Sequence, residues 1–377
     1  MDINSWNAMF YECRESDLSG RYINLEHIEP VLDRHKKTWD LILAGRSVED
    51  RPVWAFKMGT GPIKILAWSQ MHGNESTTTK ALFDLFNAFD KPEGEALLNA
   101  FQLFIIPILN PDGAYYYTRH NTNDVDLNRD AQKLSQPESR ILREVFNDFN
   151  PDYCFNLHGQ RTIYSAGANP VSTVLSFLAP AEDEARTITA GRKQGMAVIA
   201  GIAKHLHTLI PGQIALYNDK HNIQCVGDTF QSKGVPAILF EAGHFPGDYQ
   251  REEVRRYMFL AMVSALQHIV DNPGDISGFE KYAQLPQNEE RFYDIIIRNT
   301  DSVDIAIQYK EVLLENEIDF VPEIVKTGDC SNHFAHREIN AQGETVHTEY
   351  GTDLEIANVL NFVIIKNEIY SLKLTYS

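Results

Sequence analysis

The sequence predicts an α/β fold: a mixed, largely parallel central sheet with helices on both faces, followed by a small C-terminal β-rich domain. Three observations predict it. Between residue 40 and about residue 270, short apolar runs closed by turn residues recur along the chain. Longer segments with helical patterning lie between them, the alternation expected of strands joined by crossover helices. After "DNPGDISG" at 271–278 the texture changes to short runs rich in β-branched and aromatic residues.

Taken in order, "IKILAW" at 63–68 reads as a buried strand, and "STTTKALFDLFNAF" as the helix after it. "FQLFIIPIL" gives the next strand. Ser135, with Glu138 three residues on and Ile141, Leu142, Val145, Phe146 and Phe149 following, has the pattern of a capping box that opens an amphipathic helix. "DYCFNLH" and "VPAILFEAG" are two further strands, with "EARTITAGRKQGMAVIAGIAKHLHTL" as a helix between them and "REEVRRYMFLAMVSALQHIV" as a helix after. In the tail, "RFYDIIIRN", "VDIAIQY", "EIDFVPEIV", "NFVIIK" and "IYSLKLTY" read as strands, the last two joined by a tight "NE" turn. The expected division is a catalytic domain over residues 1–278 and a β domain over residues 279–377.

Composition narrows the function. The 377 residues are 43% apolar, enough for a sizeable core and for two domains. Lys and Arg number 34 against 52 Asp and Glu, a net charge of −18 that disfavours nucleic acid and anionic lipid as partners. The start "MDINSWNAMFYECRE" lacks a basic stretch followed by an apolar one, and the longest apolar runs fall short of a membrane span. A cytoplasmic location with no membrane association is expected. Cys13, Cys154, Cys225 and Cys330 are scattered and imply no disulfide framework.

Ligands of open α/β sheets bind beyond the carboxyl ends of the strands, so the residues after each apolar run are the informative ones. His72 and Glu75 follow "IKILAW", Asn110–Gly113 ("NPDG") follow "FQLFIIPIL", His158 ends "DYCFNLH", and Glu241 and His244 close "VPAILF". Two histidines and a glutamate form a set that can hold zinc while leaving one position open for water. A His-x-x-Glu pair also occurs as a surface or helix-cap feature, so the residues alone leave a metal site and ordinary polar strand ends both open. The long polar segment 110–130 holds Arg119, Asn128 and Arg129, and guanidinium forks suit carboxylates and oxyanions.

The ordered set "HGNE", "NPDG" followed by an arginine, "DLNR", a histidine at a strand end and "FEAG" resembles the zinc carboxypeptidase family of carboxypeptidase A-like metallopeptidases. The resemblance spans about residues 40–265. It implies one zinc ion bound by His72, Glu75 and His158, with Glu241 as general base, Arg119 as the group that polarises the carbonyl, and Asn128 with Arg129 binding the substrate's carboxylate. The implied activity is a metallocarboxypeptidase that hydrolyses a C-terminal peptide bond with zinc-activated water. An alternative is a zinc-dependent amidohydrolase of N-acyl amino acids resembling the aspartoacylase and succinylglutamate desuccinylase branch, which also carries a β domain after the catalytic one. Either substrate has a free carboxylate.

Some residues stay open. The family's mobile tyrosine has no motif here, Tyr217 being the tyrosine within thirty residues before Glu241. Asp228 is either a recognition group for a basic side chain or a turn residue. Cys330, His333 and His336 have ligand-like spacing without a fourth partner and read as loop residues, and His205 and His207 read as a solvated helix end.

Overall fold

The computed structural model describes residues 2–349, 351 and 354–374. It divides into two compact units: one of residues 1–160 and 173–288, the other of residues 161–172 and 289–377.

The first unit is built on an eight-stranded sheet: β1 (Asp40–Arg46), β2 (Pro52–Met58), β3 (Ile63–Trp68), β4 (Phe101–Ile106), β5 (Tyr153–Gly159), β6 (Leu175–Leu178), β7 (Ile214–Leu216) and β8 (Ala237–Ala242), in the spatial order β1-β2-β4-β3-β5-β8-β6-β7. The central strands β4, β3, β5 and β8 run parallel. β1 and β2 pair antiparallel on one side, and β6 runs antiparallel to β8 on the other.

The central strands are largely apolar because most of their residues are buried on both faces of the sheet. In β3, Ile65 and Ala67 enter one core while Leu66 and Trp68 enter the other. The first core is covered by the helices α1 (Ile3–Cys13), α2 (Thr77–Phe89), α4 (Ala190–Leu206) and α5 (Glu252–Asp271), the second by α3 (Pro137–Phe149) and the short helix Val226–Gln231. This is the layered α/β arrangement expected from the sequence.

Three local expectations change. α3 begins at Pro137 with Gln136 as its N-cap, so Ser135 is not the cap; its hydroxyl donates to Asp130 Oδ1 at 2.8 Å instead, and Glu138 accepts from Val48 N at 3.2 Å. α4 starts only at Ala190, because Thr189 caps it by accepting from Arg192 N at 3.2 Å. The tail hairpin turns at Lys366–Asn367, both at positive φ, so Asn367 and not Glu368 occupies the turn, and Glu368 begins the next strand.

The N-terminal helix and a helix at Leu25–His35 had no reading from sequence. They are held by tertiary packing: Trp6 and Phe10 meet Phe259 of α5 with ring centroids 6.5 and 5.6 Å apart. Beneath them, Arg255 of α5 makes a bidentate pair with Asp84 of α2, with Nε–Oδ2 at 2.6 Å and Nη2–Oδ1 at 2.5 Å, and neither side chain is exposed. Backbone carbonyls of Leu18 and Glu15 and the carboxylate of Glu252 take the remaining guanidinium protons, the satisfaction that a buried charge requires. Among the described residues no helix is long and apolar enough to cross a membrane.

The second unit holds a four-stranded sheet in the order Glu317–Thr327, Ile305–Leu314, Phe292–Arg298, Phe334–Asn340, and a three-stranded sheet of His347–Thr348, Phe362–Ile365 and Glu368–Ser371. Ile295, Ile297, Ile307 and Ile324 pack with Val363 and Ile365 in its core. Residues 161–172 join this unit: Ile163 O accepts from Arg291 N and Phe292 N, and Gln308 Nε2 donates to Thr162 Oγ1 at 2.6 Å. Residues 279–288, placed from sequence with the β domain, fall in the first unit. Tyr282 lies in its core and accepts from Ala179 N at 3.3 Å through its hydroxyl. Residues 375 and 376, the end of the expected "IYSLKLTY" strand, lie outside the described residues.

Candidate active site

The loop after β3 is fixed before it reaches any reactive group. Gln70, fully buried and at φ 43°, donates through Nε2 to Ile23 O at 2.9 Å and Gly73 O at 2.8 Å, and its Oε1 accepts from Thr79 Oγ1 at 2.8 Å. Gly73 is required by contact: a Cβ there would stand 1.9 Å from the carbonyl carbon of Gly113. Asn110 closes the same seam, donating to Met71 O at 3.2 Å while its Oδ1 accepts from Gly113 N at 2.8 Å. The "NPDG" turn is thus a clamp on the "HGNE" loop.

From this loop His72 and Glu75 meet His158, the penultimate residue of β5. Glu75 Oε1 lies 2.8 Å from His72 Nδ1, Glu75 Oε2 lies 2.9 Å from His158 Nδ1, and the two Nδ1 atoms are 3.1 Å apart. Among the described residues these three form the one group of His, Cys, Asp and Glu side chains placed to hold a metal ion. The donor set fits zinc. Bonds of about 2.0–2.2 Å in a tetrahedron place ligand atoms roughly 3.3–3.6 Å apart, so the three observed separations need only a slight expansion. His72 Nε2 stands 3.1 Å from Asp126 Oδ1, an arrangement that would keep a proton on Nε2 and leave Nδ1 to act as the ligand when a metal is bound.

Burial disfavours ionisation of Glu75, but His72 and His158 outweigh it and hold the carboxyl well below its usual range. Burial likewise opposes charge on His72, where Glu75 and Asp126 prevail and raise its pKa. His158 is left with a lowered pKa, chiefly through burial.

Arg119 flanks this group. Its Nη2 and Nε reach Asp126 Oδ2 at 3.0 and 3.2 Å, and Nη1 reaches Glu75 Oε1 at 3.4 Å. Glu241 comes from the neighbouring strand β8, in register with His158 across the parallel ladder and 9% exposed. Burial and the negative charge of Glu75 push its pKa well above the ordinary carboxyl value, against the pull of Arg119 and Arg251. Asn128 and Arg129 sit on a single turn capped by Asp126, whose Oδ1 accepts from Asn128 N at 2.8 Å. Asn128 Oδ1 accepts from Val226 N at 3.0 Å, and exposed Arg129 donates to Asn128 O at 2.7 Å and Cys225 Sγ at 3.2 Å, with no acidic partner among the described residues.

The structure therefore brings His72, Glu75, His158, Arg119 and Glu241 together and sets Asn128 and Arg129 on the turn that begins at Asp126. Asp126 was not singled out from sequence, although it lies inside the quoted "DLNR"; a carboxylate behind a ligand histidine has no spacing signature of its own. Asp228 accepts from Asn222 N at 3.0 Å and lies 3.3 Å from His221 Nδ1. Tyr217 follows β7, three strands across the sheet from β5. In the second unit, the His333 ring lies against Tyr293, and His336 bonds to Thr162 O at 2.8 Å and stacks on Phe292. These two and Cys330 form no metal-ligand group.

Comparison with known proteins agrees with this geometry. Residues 25–138 match the zinc carboxypeptidase family. Probable carboxypeptidase 2 of Arthroderma benhamiae is 30% identical over 99 residues, 25% of this chain and 19% of that protein. Carboxypeptidase M of Mus musculus is 27% identical over 205 residues, 44% of this chain and 46% of that protein. The chain thus spans from about a fifth to about half of the length of these curated relatives. Among solved structures, the carboxypeptidase A from Helicoverpa armigera shares the fold with a TM-score of 0.54 at 13% identity, over 72% of this chain and 81% of that one. A metallo-carboxypeptidase from Burkholderia cenocepacia does so with a TM-score of 0.52 at 16% identity, over 66% and 70%.

Proposed function

We propose that this protein is a zinc-dependent metallocarboxypeptidase that removes the C-terminal residue of peptides with a free carboxylate. The observation that carries the reading is the convergence of His72 Nδ1, His158 Nδ1 and the Glu75 carboxylate, with Glu241 beside His158 on the next strand. His72, Glu75 and His158 would hold the metal. When bound there, zinc supplies Lewis-acid chemistry, acidifying water and polarising a carbonyl.

The chain's own groups do the rest. Glu241 accepts the proton of the attacking water and delivers it to the leaving amine. Of the two causes that raise its pKa, the charge of Glu75 is offset once a cation is bound, which moves Glu241 toward the range of a working base. Arg119 stabilises charge developing on the carbonyl oxygen. Arg129 presents its guanidinium to the terminal carboxylate, and Asn128 anchors the turn that carries it. The family match and the carboxypeptidase relatives do not favour hydrolysis of N-acyl amino acids.

Arg129→Ala tests the carboxylate contact. A lost charge-assisted pair costs about 1.5–3 kcal/mol, roughly a 10- to 150-fold rise in KM for free-carboxylate peptides. Zinc content should stay at one ion per chain. An unchanged KM would remove Arg129 from substrate recognition.

A further inference from the structure

Asn156 is a polar residue with no task in the fold or in the reaction described above. It lies on β5 two positions before His158, so the two side chains share a strand face, and it is 3% exposed. Its neighbours in register are Trp68 on β3 and Leu239 on β8; leucine has no donor, and the Trp68 indole N–H, itself without a partner among the described residues, does not bond the amide. Its Oδ1 is buried with no hydrogen-bond partner, an arrangement that costs about 1–3 kcal/mol unless something else compensates it.

The amide faces the segment 225–227. A Cβ on Gly227 would stand 3.7 Å from Asn156 Nδ2, an ordinary contact distance, and 3.3 Å from Pro180 Cγ, so this segment lies directly beside the Asn156 amide. It is joined to the carboxylate-recognising turn: Val226 N donates to Asn128 Oδ1, and Arg129 Nη1 donates to Cys225 Sγ. Asn156 therefore lies between the metal-ligand group, through His158, and the segment 225–227 that backs Arg129.

We propose that Asn156 recognises the side chain of the residue released, and that this side chain ends in a hydrogen-bonding group, the primary amide of glutamine or asparagine being the complementary one. The inference rests on the carboxypeptidase reading. A substrate whose scissile carbonyl is at the metal group and whose carboxylate is at Arg129 must send its terminal side chain into the space between, where Asn156 waits. A primary amide offers both N–H donors and a carbonyl acceptor and can satisfy the Asn156 amide in a paired fashion. An aliphatic chain of the same length leaves it unpaired and desolvated.

The test compares N-acyl dipeptides that differ only in a terminal Gln or Met, side chains of nearly equal length, using the zinc-loaded enzyme and the Asn156→Leu and Asn156→Ala variants. Wild type should show kcat/KM at least about tenfold higher for Gln, in keeping with one buried polar group left unpaired by Met. Asn156→Leu should invert the ratio, and Asn156→Ala should bring it near one should the leucine variant fail to fold. Hydrolysis with no Gln preference in wild type, or a preference that survives both substitutions, overturns the role of Asn156 while leaving the peptidase reading intact. If no peptide is cleaved at all, that reading fails, and titration of free glutamine and methionine into the zinc-loaded protein decides the subsite. Tighter glutamine binding that both variants lose supports it; equal binding of the two overturns it.

Discussion

Glu241→Gln is expected to keep its zinc and to lose about 10²- to 10⁴-fold in kcat, the span that positioned general acid–base groups usually contribute. The amide has nearly the size of the carboxylate, so the β5–β8 ladder and the metal group beside it have no reason to move. What changes is that the side chain can no longer accept a proton from water and return it to an amine. In the metal-free protein, where Glu241 is buried next to Glu75, a neutral amide also avoids a like-charge repulsion, and that form of the variant should fold at least as stably as wild type. Steady-state kinetics with metal analysis of the same sample checks both halves. A variant with full turnover would assign the base to another residue.

His158→Ala is expected to abolish both metal binding and hydrolysis. His72 and Glu75 would remain, held by Asp126, Arg119 and the Gln70 clamp, but two protein ligands do not retain zinc as three do. The loss also leaves the carboxylate oxygen Oε2 of Glu75 with only the Gly159 amide as a donor, so the site is weakened in charge as well as in ligand number. Zinc per chain, measured by mass spectrometry after dialysis, should fall from one toward zero. Stoichiometric zinc in this variant would mean that His158 is not a ligand.

Much of this site was legible in the sequence because parallel strands buried on both faces advertise themselves as apolar runs, and the site hangs from their ends. His72, His158 and Glu241 each stand at or just past such a run. Asp126 and Asn156 were not legible for opposite reasons. Asp126 sits in a loop already crowded with Asn and Asp, where its contact with His72 depends on a fold that brings together residues 54 positions apart. Asn156 is hidden inside "DYCFNLH", where one polar letter among apolar ones reads as noise until its missing partner is seen.

The same logic covers the rest of the fold. The helix at Ile3–Cys13 owes its place to packing against α2 and α5, whereas the helix at Leu25–His35 carries a local signal that went unread, a capping box in which Asn24 and His27 each accept from the other's backbone N–H. Residues 161–172 belong with the β unit through partners more than a hundred positions away, at Arg291, Phe292, Gln308 and His336. Conversely, the capping-box pattern at Ser135 was a true local motif overridden by Asp130, which takes the serine hydroxyl for its own loop.

The central claim is that His72, Glu75 and His158 hold a zinc ion that this chain uses to cut the last peptide bond of a free C-terminus. The most direct test is mass spectrometry of a short peptide and its C-terminally amidated twin after incubation with zinc-loaded and metal-stripped protein. The account predicts loss of one C-terminal residue from the free-acid peptide with the zinc-loaded protein alone, and no cleavage of the amide. Efficient cleavage of the amidated peptide, internal cleavage of either, or equal activity in the metal-stripped protein would contradict it.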